Sequence, residues 1–146
     1  MDYQLRPATE EDREWAYQLK REAYFDVVER QFGSWDEALQ RELFAERWNP
    51  GISHILTVDD ADIGLIAIER QDDAFVLDEI QLTSDWRGRG LGTQLVKEVV
   101  ESAKGVGMPV RLQVLRENER ARDIYRRLGF SVVDETATHI VMRSEV

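Results

Sequence analysis

The sequence predicts an α/β (α+β) fold, in which a mixed, mostly antiparallel sheet of about seven strands is flanked by helices in the order βααβββαβαββ. Three observations support this class. Short apolar or alternating runs typical of strands are interleaved with stretches of helical periodicity. A glycine-rich turn joins one strand pattern to a helix pattern. The 146 residues contain no internal repeat and no Pro/Gly/Ser-rich linker, so we expect one domain over residues 1–146.

The N-terminal part is predicted to form one strand and two helices. "YQLRP" has the pattern of a short edge strand, and Thr9 with Asp12 resembles a capping pair before a helix that ends at Gly33. Ser34 with Glu37 predicts a capping box that opens a second helix. The apolar positions expected to be buried are Trp15, Leu19, Ala23 and Val27 in the first helix, and Leu39, Leu43 and Ala38 or Phe44 in the second.

The rest of the chain is predicted to supply six strands and two helices. "ISHILTV" and "DIGLIAIE" flank the hairpin signal "DDA", and "FVLDEIQL" adds a third strand to this meander. A helix from about Thr93 to Lys104 precedes the strand "VRLQVL". Asn118 is a candidate N-cap for "ERARDIYRRL", Gly129 is a candidate residue for its end, and "FSVVDET" with "HIVMR" closes the sheet.

Residue types absent from the sequence exclude several classes of chemistry. Cysteine is missing, which removes disulfides, thiolate metal sites and any cysteine nucleophile. His54 and His139 are the only histidines and have no metal-ligand spacing, so we expect no metal. No apolar run is long enough to span a membrane, and the start "MDYQLRP" lacks the features of a signal peptide. We therefore expect a cytoplasmic protein that is not embedded in a membrane.

The charge is distributed unevenly along the chain. Residues 1–86 hold 8 Lys or Arg against 21 Asp or Glu, whereas residues 87–146 hold 11 against 8, and the total is −10. One interpretation is an ordinary acidic surface; the other is a first half that meets a cation and a second half that meets an anion. Such acidity argues against nucleic acid as a partner, because phosphate neutralisation needs a basic face.

The stretch "DWRGRGLGTQLVKEVVESAK" carries the most specific pattern. Gly88, Gly90 and Gly92 lie between a strand and a helix, where main-chain N–H groups at the helix start lack partners within the helix. Such a turn can cradle an anion, with Arg87 and Arg89 adding attraction. The spacing fits neither a Walker A loop nor a dinucleotide fingerprint. The alternative is a tight connection that merely needs positive φ.

Two sequence blocks together resemble the GNAT superfamily of N-acetyltransferases. "RGRGLG", between "EIQLTSDW" and "TQLVKEVV", resembles that superfamily's acetyl-CoA pyrophosphate loop. "VLRENERARDIYRRLGF" resembles its other motif, with Asn118, Ala121, Tyr125, Gly129 and Phe130 in order. The resemblance implies an enzyme, an acyltransferase that moves an acetyl group from acetyl-CoA to an amine. Because the sequence has no cysteine to carry an acyl-enzyme, we expect direct attack in a ternary complex.

Candidate site residues follow from this resemblance and from helical spacing. Asn118, Ala121, Arg122 and Tyr125 share one helix face, and the resemblance implies a pantetheine contact for Asn118 and a general-acid role for Tyr125. It further implies that the strand before the glycine turn splays away from "VRLQVL" and offers backbone groups near Leu82 to pantetheine. The expected cofactor-binding residues are Leu82, Thr83, Arg87, Gly88, Arg89, Gly90, Leu91, Gly92, Thr93, Asn118, Ala121, Arg122 and Tyr125.

A general base is expected because an alkylammonium is neutral only about once in 10³ to 10⁴ molecules at pH 7. Glu79 is the candidate, on the strand before the glycine turn and on the same strand face as Gln81. A solvated strand carboxylate is the alternative interpretation. The reserve candidates are Asp78, Glu135, His139 and, more weakly, His54.

The acceptor is the least determined part of this interpretation. The resemblance assigns acceptor choice to residues 15–50 and 131–142, where Tyr24, Trp35, Trp48, Asp36 and Glu42 would suit a cationic amine unless they are core or surface residues. A small amine, polyamine, amino acid or protein N-terminus stays open, as does a homodimer. The competing classes are a non-catalytic acyl-CoA-binding regulatory module and, from "RGRG", an RNA-binding protein.

Overall fold

The computed structural model describes residues 2–146, which form seven strands, four α-helices and three short 3-10 helices. The strands are β1 (Gln4–Pro7), β2 (Ser53–Val58), β3 (Ala61–Arg70), β4 (Phe75–Leu82), β5 (Val110–Leu115), β6 (Ser131–Glu135) and β7 (His139–Arg143). The α-helices are α1 (Arg13–Phe32), α2 (Glu37–Arg47), α3 (Leu91–Lys104) and α4 (Glu119–Arg127). The element order and the fold class predicted from the sequence are thereby confirmed.

The seven strands are hydrogen bonded in the order β1-β2-β3-β4-β5-β7-β6. β1 and β6 are the edge strands, and all five residues of β6 are exposed. The pairings of β1 with β2, β2 with β3, β5 with β7 and β6 with β7 are antiparallel. β4 and β5 are parallel, and their register comprises only Phe75 with Val110 and Val76 with Arg111. Both strands continue beyond this short ladder, as expected for strands with unpaired backbone groups.

The residue contacts divide the chain into two compact units. The first comprises the chain through Ala67 together with Glu79–Arg87, and the second comprises Ile68–Asp78 with Gly88–Val146. The division cuts β3 and β4, so each of these strands contributes to both units. The single-domain prediction stays a prediction.

The first unit has a core built by α1 and the meander. Its buried cluster contains Ala8, Ala16, Leu19, Ile55, Leu65 and Ala67, against which Trp15, Phe44, Trp48 and Ile52 pack. The hairpin between β2 and β3 turns at Asp59 and Asp60, whose φ angles are 50° and 65°. Two successive positive φ angles match the twist of a two-residue hairpin, so the "DDA" prediction is confirmed.

The second unit buries one face of α3 and the inward residues of β5 and β7. The buried α3 residues are Leu91, Leu95, Val96, Val99 and Ala103, at helical spacing. The strands contribute Val110, Leu112 and Val114 from β5 and Ile140, Val141 and Met142 from β7. Because Leu91 is 0% exposed, the start of α3 is anchored by apolar burial.

The structure corrects three sequence predictions, one about the start of α2 and two about the buried faces of α1 and α2. The predicted Ser34–Glu37 capping box is wrong, because the Asp36 carboxylate accepts the Leu39 N–H and caps α2 instead. Leu39 and Leu43 are exposed rather than buried, while Phe44 carries the packing of α2. In α1, Leu19 is buried as predicted, but the other buried residues are Ala16, Tyr17 and Val28.

In the stretch from Asp2 to Val146, no helix combines the length and the apolar character needed to cross a membrane. Over the same residues, no group of three or more His, Asp or Glu side chains is arranged to hold a metal ion.

Candidate active site

The glycine turn adopts a backbone that only glycine tolerates easily. Gly88 and Gly90 have φ angles of 76° and 87°, in the left-handed region, and Gly90 is the N-cap of α3. The Gln94 N–H donates to the Gly90 carbonyl, 3.0 Å away, which closes the first helical turn. Gly92 and Thr93 lie within that turn, whose N–H groups have no carbonyl acceptor inside the helix.

The space in front of Gly88 suits a ligand that approaches the main chain. A Cβ placed on Gly88 would meet no atom within 4 Å. Gly90 has no side chain that can cap α3, whereas α2 and α4 are capped by Asp36 and Asn118. The turn therefore combines open space, uncapped N–H groups and the positive end of a helix dipole, which fits a diphosphate.

The residues that lead to this turn are fixed by their own hydrogen bonds. The Thr83 N–H donates to the Ile63 carbonyl at 2.9 Å, and the Thr83 carbonyl accepts from the N–H groups of Trp86 and Arg87. Residues Ser84–Trp86 form a short 3-10 helix. Arg87 pairs with Glu22 of α1, with 2.6 Å between Nη2 and Oε1, so an anion would compete with that carboxylate for the guanidinium. Arg89 is exposed.

α4 and its N-cap carry four of the predicted cofactor-binding residues: Asn118, Ala121, Arg122 and Tyr125. Asn118 is its N-cap, and its Oδ1 accepts the Ala121 N–H at 3.2 Å, as the sequence predicted. The amide nitrogen of Asn118 is the group that would donate to a ligand. Arg122 has a buried Nε without a hydrogen-bond partner among the described residues, although its Nη2 lies 3.9 Å from Glu119 Oε1. A buried donor without an acceptor is costly, and a ligand oxygen would satisfy it.

Tyr125 stands near the end of α4 and is half-buried. Its ring packs against Phe130, with 5.5 Å between centroids and 59° between the ring planes. Phe130 is buried, and its N–H donates to the Tyr125 carbonyl at 3.0 Å. Gly129 has a φ of 95°, which lets the chain turn between the two aromatic residues.

The candidate base Glu79 belongs to a small polar cluster in the first unit. Its Oε1 accepts from Lys20 Nζ of α1 at 2.6 Å, and its Oε2 accepts from Gln81 Nε2. Gln81 is a buried polar residue, and its contact with Glu79 agrees with the shared strand face predicted from the sequence. Both oxygens of the carboxylate are therefore held in fixed positions.

Gly64 keeps the end of β4 in place. A Cβ on Gly64 would lie 2.7 Å from both the Gln81 carbonyl oxygen and Leu82 Cδ2. Such distances are far inside van der Waals contact, so only glycine fits at this position of β3. Leu82, which the sequence assigned to pantetheine, is 8% exposed.

Several residues predicted to meet the acceptor are engaged within the first unit. Trp35 Nε1 donates to Glu37 Oε2 at 2.7 Å, and its ring stacks on Phe25. Trp48 Nε1 donates to Glu10 at 2.9 Å. Asp36 caps α2, Tyr24 is half-buried and Glu42 is exposed. Trp48 and Asp36 therefore fit the alternative interpretation, in which these residues belong to the core or the surface and do not bind the acceptor.

Glu37 connects α1 with the start of α2. It accepts from the Tyr17 hydroxyl at 2.9 Å and from Arg21 Nε at 3.1 Å, while Arg41 lies over the Tyr17 ring. The Arg21 and Tyr17 hydrogen bonds lower the pKa of Glu37, and burial followed by the Glu37 hydrogen bond raises the pKa of Tyr17. This network fixes how the two helices of the predicted acceptor region meet.

The reserve base candidates lie on four different strands. Glu135 lies on the edge strand β6, 3.7 Å from Arg116 Nη1. His139 on β7 has its Nδ1 2.7 Å from the Thr138 hydroxyl. Asp78 is exposed on β4, and His54 is half-buried on β2. Glu79, whose two carboxylate oxygens both accept hydrogen bonds, stays the preferred candidate.

The sequence did not predict three residues that contact candidate site residues: Lys20, Glu22 and Gly64. Lys20 meets Glu79, and Glu22 meets Arg87, across separations of 59 and 65 positions. A pairing of that range leaves no local pattern. Gly64 had a local signal, because an isolated glycine inside a strand pattern indicates close approach of another backbone.

The family model for "Acetyltransferase (GNAT) family" matches residues 13–130, which include the glycine turn and α4. Thialysine N-epsilon-acetyltransferase of Bos taurus is 41% identical over 54 residues, which cover 36% of this chain and 32% of that protein. For five curated relatives, this one included, the match spans less than half of the relative's length.

Solved structures resemble the whole chain in fold. The PaiA N-acetyltransferase of Thermoplasma acidophilum, in complex with coenzyme A, has a TM-score of 0.76 and 20% identity, and the match covers 100% of both chains. Naa50 of Arabidopsis thaliana, in complex with the bisubstrate analogue CoA-Ac-MVNAL, has a TM-score of 0.65 and 18% identity, again over 100% of both. At these identities the likeness shows a common fold.

Proposed function

Because the chain belongs to the acetyltransferase (GNAT) family, we propose that it transfers an acetyl group from acetyl-CoA to a primary amine of a small molecule or peptide. The amine attacks directly in a ternary complex. The observation that carries this proposal is the glycine turn, where left-handed Gly88 and Gly90 open an uncapped helix start to an anion. A Thermoplasma relative in fold was solved with coenzyme A, which supports the choice of cosubstrate.

In this proposal the glycine turn and α4 bind the cosubstrate. The N–H groups of the Gly88–Thr93 turn hold the diphosphate, with Arg89 nearby in sequence and Leu91 anchoring the helix in the core. The amide nitrogen of Asn118 and the buried Arg122 Nε donate hydrogen bonds to oxygens of the pantetheine arm. The end of β4, at Leu82 and Thr83, offers backbone groups to pantetheine in the manner of an added strand.

Glu79 takes the proton that the acceptor ammonium must lose before its nitrogen can attack the thioester. It lies near the end of β4, where Gln81 and Lys20 donate hydrogen bonds to its carboxylate. In this proposal it takes the proton from the acceptor directly or through one water. Since the chain has no cysteine, a cysteine-borne acyl-enzyme does not arise, and the amine itself is the nucleophile.

Tyr125 donates a proton to the departing sulfur. Its ring is held against Phe130 and it shares a helix with the Asn118 and Arg122 contacts. Acetyl-CoA supplies an activated thioester when it is bound, and a hydroxyl near the sulfur lowers the barrier to thiolate departure by general-acid catalysis.

The acceptor proposed here is a cationic amine. The excess of carboxylates in residues 1–86 favours an ammonium. The bovine relative is a thialysine N-epsilon-acetyltransferase, while the Arabidopsis structure contains the bisubstrate analogue CoA-Ac-MVNAL. A small amine and a peptide N-terminus therefore both belong in the test. The cytoplasmic location and a homodimer stay predictions from the sequence.

The proposal is tested by following thiol release from acetyl-CoA over a panel of amines. The panel includes lysine, thialysine, polyamines and short peptides with a free N-terminus, and product masses identify the acetylated nitrogen. Amine-dependent release with a mass increase on one amine supports an N-acetyltransferase. Binding of coenzyme A without release over the whole panel would instead support the alternative, a non-catalytic acyl-CoA-binding regulatory module.

A further inference from the structure

The carboxylate of Glu79 already holds an ammonium that belongs to the chain itself. Lys20 Nζ of α1 lies 2.6 Å from Glu79 Oε1, and the side chains are 26% and 25% exposed, respectively. The other oxygen of Glu79 accepts from Gln81, whose residue is only 5% exposed. The ion pair thus stands at the rim of the core, shielded in part from water and still accessible.

A general base must lie within hydrogen-bond reach of the proton that it removes, about 2.6–3.2 Å between heavy atoms. Lys20 Nζ satisfies that requirement at Glu79. It has the chemistry of an acceptor, a primary alkylammonium. The position that an external amine needs at this base is therefore one that Lys20 occupies.

From this juxtaposition we infer that Lys20 is a modification site, acetylated by the chain itself when acetyl-CoA is bound and no external amine is present. This inference rests on the proposed function, because it uses the same base and the same acetyl donor. An external acceptor competes with Lys20 for Glu79 and protects Lys20 from the reaction.

The reaction conserves atoms and charge. Lys20 gives one ammonium proton to Glu79, its Nζ forms a bond to the thioester carbonyl carbon, and the carbon–sulfur bond breaks. The departing thiolate takes the second proton of the nitrogen and leaves as coenzyme A, and Glu79 releases the first proton to solvent. The product is a neutral amide at Lys20, which ends the ion pair with Glu79.

The sequence provides its own controls, since the chain contains only three lysines: Lys20, Lys97 and Lys104. Lys97 and Lys104 are exposed on α3. A reagent that attacks amines without a catalyst should favour these exposed groups over a half-buried, ion-paired ammonium. Preference for Lys20 therefore cannot arise from exposure alone.

The experiment incubates the full chain with acetyl-CoA carrying a deuterated acetyl group, without any amine, and follows each lysine by peptide mass mapping. We expect Lys20 to be labelled at least about tenfold faster than Lys97 and Lys104, as base assistance contributes. With sulfosuccinimidyl acetate as donor, we expect the order to reverse. Lys97→Arg should leave the labelling of Lys20 unchanged, and Lys20→Arg should remove the fast label.

Glu79→Gln separates catalysis from accessibility, because it removes the base and also releases Lys20 from its ion pair. Labelling of Lys20 by acetyl-CoA should fall about 10²-fold or to the level of Lys97. Labelling by sulfosuccinimidyl acetate should stay the same or increase. Equal labelling of Lys20 by acetyl-CoA in wild type and Glu79→Gln would overturn the inference.

Failure of this inference is distinguishable from failure of the proposed function. The same preparation is assayed for thiol release with the amine panel. If an external amine is acetylated while Lys20 reacts no faster than Lys104, the inference is wrong and the proposed function stands. If neither the panel nor Lys20 is acetylated by a preparation that binds coenzyme A, both are wrong.

Discussion

α3 and α4, two helices of the second unit, begin in opposite ways. α4 begins at Asn118, whose side-chain oxygen accepts the Ala121 N–H and closes the first turn. α3 begins at Gly90, a left-handed residue without a side chain, after a second left-handed glycine at Gly88. A side chain of the protein caps the start of α4, whereas no side chain caps the N–H groups at the start of α3.

This difference separates stability from binding. A side-chain cap of the kind at α4 typically stabilises a protein by about 0.5–2 kcal/mol. The start of α3 has no such cap and is stabilised instead by the complete burial of Leu91. Its open N–H groups and helix dipole then remain for an anion. We interpret the start of α3 as built for a ligand and the start of α4 as built to hold Tyr125 in place.

The largest effect is expected from Gly90→Val, which destroys the open start. A β-branched residue at a φ of 87° is strongly disfavoured, so the turn must change shape. Binding of coenzyme A should fall by at least about 100-fold, since two or more charge-assisted hydrogen bonds of about 1.5–3 kcal/mol each are lost. Calorimetric titration measures the affinity, and far-UV circular dichroism checks folding. Normal affinity in a folded variant would contradict the interpretation.

Tyr125→Phe tests the proposed general-acid role of Tyr125, which lies on the capped helix α4. Turnover with a proven acceptor should fall by about 10²–10⁴-fold, because the general acid is lost. Affinity for acetyl-CoA should change little, since the ring packing against Phe130 is kept. Steady-state kinetics and a binding titration give the two values separately. Unchanged turnover would remove the general-acid role from Tyr125.

Gly88→Ala and Gly107→Ala form a matched pair that separates backbone strain from ligand contact. Their φ angles are 76° and 71°, and in both cases an added Cβ meets nothing within 4 Å. The two variants should lose similar stability. Only Gly88→Ala should weaken coenzyme A binding, by about tenfold for one charge-assisted hydrogen bond. An equal loss of affinity in both variants would show strain rather than contact.

Asn118→Ala removes the cap of α4. The free energy of unfolding should fall by about 0.5–2 kcal/mol because the Ala121 N–H loses its acceptor. Turnover should fall further than expected from affinity alone if α4 orients Tyr125. Urea unfolding and steady-state kinetics measure these effects. Asn118→Asp, which keeps the capping oxygen, serves as the control for stability.

The start of α1 adds a pH-dependent case to this comparison. Hydrogen bonds from Arg6 lower the pKa of Asp12, whose carboxylate also accepts the Thr9 N–H. A carboxyl group with a lowered folded pKa stabilises the protein above its unfolded value, near 3.9, and this stabilisation is lost as the pH falls through the folded value.

Arg6→Leu should therefore destabilise the protein most at neutral pH and progressively less below about pH 4. Thermal unfolding from pH 7 to pH 3 measures the difference from wild type. Arg13→Leu, at an exposed position of α1, makes the same change in charge without this contact. A destabilisation by Arg6→Leu that is constant over the whole range would contradict a role for the Asp12 charge.

Local patterns predicted the elements that have a local cause. The bounds of β4, β5 and β7 follow from apolar runs between turns, and the caps at Gly33 and Asn118 follow from single residues. The start of α3 was predicted at Thr93 but lies at Leu91, because burial of Leu91 extends the helix into the glycine turn.

Errors arose where a tertiary contact decides between two local options. Ser34 and Asp36 are both acceptable N-caps, and only the path of the chain after Gly33 selects Asp36. Leu39 and Leu43 have a helical pattern, but α2 packs through Phe44 and Trp48. The ion pair of Lys20 with Glu79 depends on the docking of α1 beside β4, which no spacing in the sequence encodes.

A crystal structure of the chain with coenzyme A would show directly whether the start of α3 binds the diphosphate. We expect diphosphate oxygens within about 3 Å of main-chain nitrogens of the Gly88–Thr93 turn. A coenzyme A molecule whose diphosphate binds elsewhere, while the N–H groups of this turn are covered by protein side chains, would contradict it.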